Sequence, residues 1–407
     1  MTYEEASRLL AAKGQEHVLA GFDALSGQEQ ETLLAQIAQV DWDVVSMAGR
    51  EEKQELGQIS QLPAVDIDEI ETRKSEFTEA GLAAIRQGKV GAVLLAGGMG
   101  TRLGLDKPKG ELDVGINRPL YLFQRLIMNL QEVTEMAGTS LPLYVMTSEK
   151  NDAETRRFFA ENRYFGYPEE DVRFYVQEMA AAVDYQGKLL KEAPGRLATS
   201  PNGNGGWFSS LAKAGLTEDL HRRGVEWLNV FAVDNVLQRI ADPAFIGATI
   251  LSGKNSGSKV VRKVDPYEKM GVICAEDGVP AVVEYYELTP EMAEARDEKG
   301  NLKYAFGVIL NYLFSVSKLE EVMAKSMPVH VVEKKIPYID AEGNYHKPDK
   351  PNGYKFETLA VDLVAMMENT LPYEVIRDRE FAPIKNLHGV DSLDSARELL
   401  EKNGVEL

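Results

Sequence analysis

Apolar positions in this chain follow two rhythms. Between residues 88 and 235, short apolar runs alternate with segments whose apolar residues recur every three or four positions. GAVLLA (91–96), LYVMTS (143–148), VRFYVQ (172–177) and EWLNVFAVDN (226–235) have strand length. LYLFQRLIMNLQEV, which follows Pro119, DAETRRFFAEN and FSSLAKAG fall between them with helical spacing. Strands alternating with helices over short connections predict a doubly wound α/β sheet, mixed but mainly parallel. Upstream, residues 1 to about 60 read as helices without a strand, and Ser26 followed by Glu29 forms a capping box opening TLLAQIAQV. Residues 61–75 read as a connection, and FTEAGLAAIRQG as the helix leading into the first strand. After about residue 255 the strands come closer together, as SKVVRKV, GVICAE, AVVEYYEL and YAFGVILNYLF, and the chain closes on YEVIRDREFAPIKN and the helix SLDSARELLEKN. The expected division is a helical segment over 1–87, an α/β domain over 88–368 and a C-terminal region over 369–407.

The first strand runs into glycine. Leu95 and Ala96 end the apolar run, Gly97, Gly98 and Gly100 follow, and Arg102, Lys107 and Lys109 stand just beyond. Glycine lets backbone N–H groups approach a ligand with no Cβ in the way, and successive N–H groups make an anion-binding concavity. An arginine fork and lysine point charges suit phosphate. The alternative is a tight turn with solvated cations. Two common loops are excluded: there is no Gly-Lys-Ser or Gly-Lys-Thr for a Walker A loop, and Leu103 stands where a dinucleotide fingerprint needs its last glycine. In a doubly wound sheet ligands bind beyond the carboxyl ends of strands, which places this loop, the end of 172–177 and Asp234 near one crevice.

Charge sharpens this picture. The 407 residues carry a net charge of −19, which argues against nucleic acid or an anionic membrane as the main partner. Cations gathered beside a glycine loop stand out against that background. The one cysteine, Cys274, allows no disulfide framework and points to a reducing cytoplasm. The five histidines are scattered without a cysteine partner, and no apolar run approaches the ~20 residues that span a bilayer.

Further candidates lie downstream. Asp234 ends the VFAVD strand, where a carboxylate either holds Mg²⁺ or caps the following turn. PNGNGG (201–206) is a second glycine turn, with Asn204 offering amide contacts. KPDKPNGYK (347–355) clusters three lysines, and Lys385 is a lone cation after a proline turn. No nucleophile–base pair is recognisable. That fits phosphoryl or nucleotidyl transfer, in which positioning and charge neutralisation carry most of the catalysis.

With these residues together, the chain resembles the UDP-N-acetylhexosamine pyrophosphorylases, a branch of the UDP-sugar pyrophosphorylase family. LAGGMGTRLGLDKPKG is the signature loop, followed in family order by RYFGY (163–167), PNGNGGWF, VDN (233–235), ADPAFIG, GVICAEDGV, VVEYYEL, KKIPY and KPDKPNGYK. The resemblance implies a Rossmann-like, GT-A-like central domain and the reaction of UTP with an N-acetylhexosamine 1-phosphate, giving a UDP-sugar and pyrophosphate with Mg²⁺. It implies that Leu95, Ala96, Gly97 and Gly98 lie against the nucleotide, and that Gln177 and Gly203 read the uracil edge. Arg102 would stabilise the departing pyrophosphate, Lys109 and Lys385 neutralise the α-phosphate and sugar phosphate, and Asp234 hold the metal. Asn204, Glu284 and Tyr285 would face the sugar, with Lys355 in the same closing region. A glutamine amide offers the donor and acceptor that a uracil edge demands.

Three positions depart from the family pattern. Val308 replaces a sugar-facing asparagine, Val361 stands where an aromatic is expected, and Glu178 adds a negative charge after Gln177. Glucose or galactose 1-phosphate therefore stays open as the substrate. A nucleotide-sugar sensor without activity is the rival of another class, although a sensor has no need of the leaving-group cations.

Overall fold

The Val90–Leu95 strand, buried at all six positions, lies inside a ten-stranded mixed sheet. A strand covered on both faces has no polar side to show, which is why GAVLLA lacks the alternation of a half-exposed strand. The computed structural model describes residues 1–50 and 56–407. Contacts divide them into two compact units. The larger comprises Leu56–Gln177, Trp207–Ser326 and Ala360–Leu407, and the smaller residues 1–50, Glu178–Gly206 and Met327–Leu359.

In the larger unit the sheet runs in the order Ile59–Ser60, Val272–Glu276, Phe306–Ser315, Trp227–Ala232, Val90–Leu95, Leu143–Thr147, Val172–Val176. The last four are parallel neighbours, with Ala232 level with Leu95 and Leu95 level with Met146. From the Val90–Leu95 strand the chain winds outward through Leu143–Thr147 and Val172–Val176, then returns to the other flank as Trp227–Ala232. That reversal is a topological switch point, where doubly wound sheets open a crevice. The closer-spaced strands after residue 255 form the antiparallel half, joined by Thr370–Glu374 parallel to Ser256–Arg262.

Helices Ile67–Arg86, Leu122–Ala137, Pro243–Leu251 and Leu393–Lys402 pack their apolar faces into the main core. In Leu122–Ala137 the buried residues Phe123, Leu126, Ile127, Leu130 and Val133 recur at helical spacing, and Gly138 ends the helix at φ +73°. RYFGY forms an unusual turn: Arg163, Tyr164, Phe165 and Gly166 all have positive φ. Left-handed backbone costs a side-chain-bearing residue roughly 1–2 kcal/mol. Here Phe165 is held against Phe158 and Phe159, with ring centroids 5.9 and 5.5 Å away.

Two local expectations change. The helix expected from Phe77 begins at Ile67, because the Asp66 carboxylate caps the N–H of Glu69 and two acids favour its first turn. Within the stretch expected to be helical, Ile59–Ser60 pairs antiparallel with Val272–Glu276. That strand is set by distant partners, since the Gly57 and Gln58 N–H groups donate to the Glu276 and Asp277 carboxylates at 2.6 and 2.9 Å. The Ser26–Glu29 capping box is present as expected.

The smaller unit buries Ala6, Leu10, Leu33 and Ile37 of its N-terminal helices against Val183, Leu189, Leu197 and Phe356. Its sheet orders His330–Lys334, Gly353–Glu357 and Val183–Asp184. Among the described residues, no helix is long and apolar enough to cross a membrane. Cys274 is buried, and burial pushes its thiol pKa up to about 12, so it is an inert core residue.

Candidate active site

Register alone brings three loops to one edge of the larger unit. The Ala96 N–H donates to Met146 at 2.8 Å, the Gln177 N–H to Thr147 at 2.9 Å and the Val233 N–H to Leu95 at 3.2 Å. The glycine loop, Gln177 and Asp234 therefore start from the same level of the sheet, as the strand ends in the sequence require.

The loop turns back on itself. The Gly100 N–H donates to the Lys107 carbonyl at 2.9 Å, and the Lys109 N–H to that of Gly98 at 3.1 Å. Asn151, wholly buried, braces it from the side: its amide donates to the Ala96 carbonyl at 2.9 Å and to that of Gly98 at 3.4 Å. Gly97 fits because a Cβ there would lie 2.9 Å from Gln177 Oε1, so the loop and the buried Gln177 side chain are immediate neighbours.

Cations gather beyond it. The Lys109 ammonium lies 3.7 Å from the Asp234 carboxylate, its side chain 16% exposed. Burial lowers the pKa of this ammonium; Asp234 opposes that shift, while the charges of Lys385 and Arg102 add to it. Arg102, Lys385 and Asp234 thus all act on the Lys109 ammonium, two cations and a carboxylate in one electrostatic neighbourhood. Lys385 arrives because the C-terminal segment runs along the Asp234 turn, where the Ile384 N–H donates to the Asp234 carbonyl at 2.9 Å. Its ammonium rests on Asp391, 2.9 Å away. Lys107, grouped with these cations in the sequence, instead pairs with Glu111 at 3.7 Å, and its side chain is 60% exposed.

Glu284 and Tyr285 follow the Val279–Val283 strand of the same unit. The Glu284 N–H donates to the Glu287 carboxylate at 2.8 Å, and Tyr285 is exposed and edge-on to Tyr286. A Cβ on Gly271 would lie 3.3 Å from the Glu284 carboxylate, and the Gly271 carbonyl accepts from the Val308 N–H at 2.9 Å. The departure at Val308 thus borders on the carboxylate expected to face the sugar. Val361 precedes the Asp362–Met366 helix, which packs beside the Val279–Val283 strand.

The other candidates belong to the smaller unit. Gly203 has φ +88°, and a Cβ there would lie 2.1 Å from the Thr358 carbonyl. The Gly205 N–H donates to Thr358 at 2.9 Å, and the Thr358 N–H to Asn202 at 2.7 Å. PNGNGG, with Asn204 opening the Asn204–Gly206 turn, is therefore stitched to the residues that follow the Gly353–Glu357 strand carrying Lys355. Glu178 is also in this unit.

Two contributors were passed over in the sequence. Asn151 gave no signal beyond an asparagine at a helix start, and Asn235 looked like the polar end of a strand. Asn235 in fact grips the C-terminal segment, donating to Glu380 at 2.7 Å and accepting from Ala382 at 2.9 Å.

A glycine loop at a switch point, a buried glutamine beside it and cations next to a strand-end carboxylate are the parts that holding a nucleotide phosphate requires. Comparison with known proteins agrees. A family described as UTP–glucose-1-phosphate uridylyltransferase matches residues 28–403. The chain belongs to this family. Among its relatives, the UDP-N-acetylhexosamine pyrophosphorylase-like protein 1 of Homo sapiens is 37% identical, over 95% of this chain and 81% of that one. The UDP-N-acetylglucosamine pyrophosphorylase of Saccharomyces cerevisiae is 35% identical, over 94% and 86%. The crystal structure of the uridine diphosphate N-acetylglucosamine pyrophosphorylase from Trypanosoma brucei, in complex with an inhibitor, superposes with a TM-score of 0.82 at 30% identity, covering 98% of this chain and 84% of that one. The family resemblance and the large mixed α/β sheet expected from the sequence both hold.

Proposed function

We propose that this protein is a UTP:N-acetylglucosamine-1-phosphate uridylyltransferase, a nucleotidyltransferase that forms UDP-N-acetylglucosamine and pyrophosphate. The observation that carries the reading is Lys109, paired with Asp234 and within the field of Arg102 and Lys385, beside a glycine loop backed by Gln177. A sugar-phosphate oxygen attacks the α-phosphorus of UTP, the bond from that phosphorus to the bridging oxygen breaks, and pyrophosphate leaves in line. Lys109 and Lys385 neutralise the α-phosphate and the incoming phosphate. Arg102 takes up the charge that develops on the leaving pyrophosphate, and such preorganised charge acts where the transition state needs it. Leu95, Ala96, Gly97 and Gly98 line the nucleotide, Gln177 presents its side-chain amide to uracil, and Glu284 and Tyr285 serve the sugar side.

The donor set suits magnesium delivered with a nucleotide. Asp234 is a half-buried carboxylate, and among the described residues no three His, Cys, Asp or Glu side chains cluster to hold a metal without a ligand. Mg²⁺ commonly takes one or two carboxylates and completes its shell with substrate phosphates and water. Asp234 would hold it, and the bound ion would supply charge neutralisation at the phosphates. The single buried cysteine supports a reducing cytoplasm as the compartment.

The test is pyrophosphate release from UTP with GlcNAc, GalNAc, glucose and galactose 1-phosphates in parallel. GlcNAc 1-phosphate is expected to be turned over most efficiently. Lys109→Ala and Asp234→Ala should each cut turnover by about 100-fold or more while the chain stays folded. Near-normal rates in either variant would sink the assigned roles, and no release with any sugar would sink the activity.

A further inference from the structure

Lys385 reaches the phosphate cluster only because the segment before it is fastened down, and the deepest fastening is a buried charge. Lys259, in the Ser256–Arg262 strand, has a side chain wholly removed from solvent. Its ammonium donates to the Glu380 carboxylate at 2.5 Å, the Asp242 carboxylate at 3.1 Å and the Arg239 carbonyl at 3.1 Å. Those three bonds use all of its donors. The strand register is broken at this residue. Ser258 pairs with Tyr312 and Val260 with Val308, so one residue faces three, and Leu310 among them has φ +51°. Bulges of this kind re-aim side chains.

A buried ion pair is a poor source of net stability, since well-packed apolar residues of the same volume serve as well or better. What a fully bonded ammonium supplies is a defined position for its partners. Glu380 passes that position on. Its backbone carbonyl accepts from Asn235 at 2.7 Å, Asn235 accepts from the Ala382 N–H at 2.9 Å, and the Ile384 N–H donates to the Asp234 carbonyl at 2.9 Å. Residues 380–384 are thereby laid along the metal-ligand turn, and Lys385 comes next.

We propose that Lys259 is a positioning residue for uridylyl transfer: through Glu380 it clamps the 380–385 segment to the Asp234–Asn235 turn and sets where Lys385 stands relative to Lys109. The inference rests on the function proposed above, because it requires Lys385 to act on a phosphate.

Kinetics of the full chain test it. Glu380→Gln keeps the shape of the contact and removes its charge. It should lower kcat by roughly 10- to 100-fold, the range expected for a misplaced catalytic group, with little change in the KM for UTP. The deciding measurement is a double-mutant cycle with Lys385→Ala. If Glu380 acts through Lys385, the double variant turns over at the Lys385→Ala rate. Losses that multiply, or a folded Glu380→Gln enzyme at the wild-type rate, overturn the proposal. Asn235→Ala serves in the same cycle if circular dichroism shows Glu380→Gln unfolded. Wild-type protein inactive toward every sugar phosphate would instead defeat the functional reading, a distinct outcome.

Discussion

Gly110→Ala is the sharpest probe of how the fold aims Lys109. Gly110 lies in the Lys109–Glu111 turn, and a Cβ built on it falls 2.2–2.3 Å from three carbons of the Phe123 ring. Carbon atoms in contact sit about 3.5 Å apart, so the gap must open by about 1.3 Å. The ring has no room to retreat. It is wholly buried, packs edge-on against Phe159 at 5.0 Å, and has Phe158 at 6.3 Å; both of those rings are backed by Phe165 in the left-handed turn. The turn therefore moves instead and carries Lys109 with it. Overpacking of this kind costs about 1–3 kcal/mol of stability. The rate effect is larger, because a 1 Å misplacement of a catalytic group costs about 100-fold. Pyrophosphate release at saturating substrates reads the second effect, and urea unfolding the first. Phe123→Leu in the Gly110→Ala background should recover part of the rate by making space. A Gly110→Ala enzyme with wild-type turnover would refute the claim that this ring sets the height of Lys109.

Two further outcomes follow from the same neighbourhood. Burial holds the native Lys109 pKa below its ordinary value of 10.5, so between the two values the unfolded chain binds more protons and this group's contribution to stability rises with pH. Lys109→Met should therefore gain most relative to wild type near neutral pH and lose that gain as pH climbs toward 10.5; a gain that grew with pH in urea titrations would reverse the sign. Gly97→Ala places a methyl 2.9 Å from Gln177 Oε1 and should turn that amide aside, raising the KM for UTP well above its effect on the KM for sugar phosphate. An unchanged KM for UTP would separate Gln177 from nucleotide binding.

Much of this protein was legible in short windows of sequence. The apolar runs at 91–96 and 143–148 became parallel strands because a strand buried on both faces must be apolar throughout, whatever it pairs with, and 172–177 joined them as a half-exposed edge strand. Gly97 announced its loop because a Cβ there would lie 2.9 Å from Gln177 Oε1. The capping box at Ser26 is local chemistry and appeared where it was read. Signals fail where the cause is distant. Ile59–Ser60 is a strand only because Val272–Glu276 lies beside it, and Lys107 left the cation group because Glu111 offered a partner.

The charge cluster divides in the same way. Strand ends marked by Gly97, Gln177 and Asp234 follow from periodicity and from the rule that such sheets bind ligands beyond their carboxyl ends. Lys385 was known only by resemblance, since nothing around FAPIKN distinguishes it from a surface lysine. Its place is decided by Asn235, Glu380 and the wholly buried Lys259, whose charge is tolerable solely because three partners from two distant segments meet it, Arg239 and Asp242 from one and Glu380 from the other. Local sequence determines which strands, turns and caps can form, because those depend on neighbours a few residues away. Only the folded chain decides which distant charges share one low-dielectric site, because that energy exists only once packing has excluded the water between them.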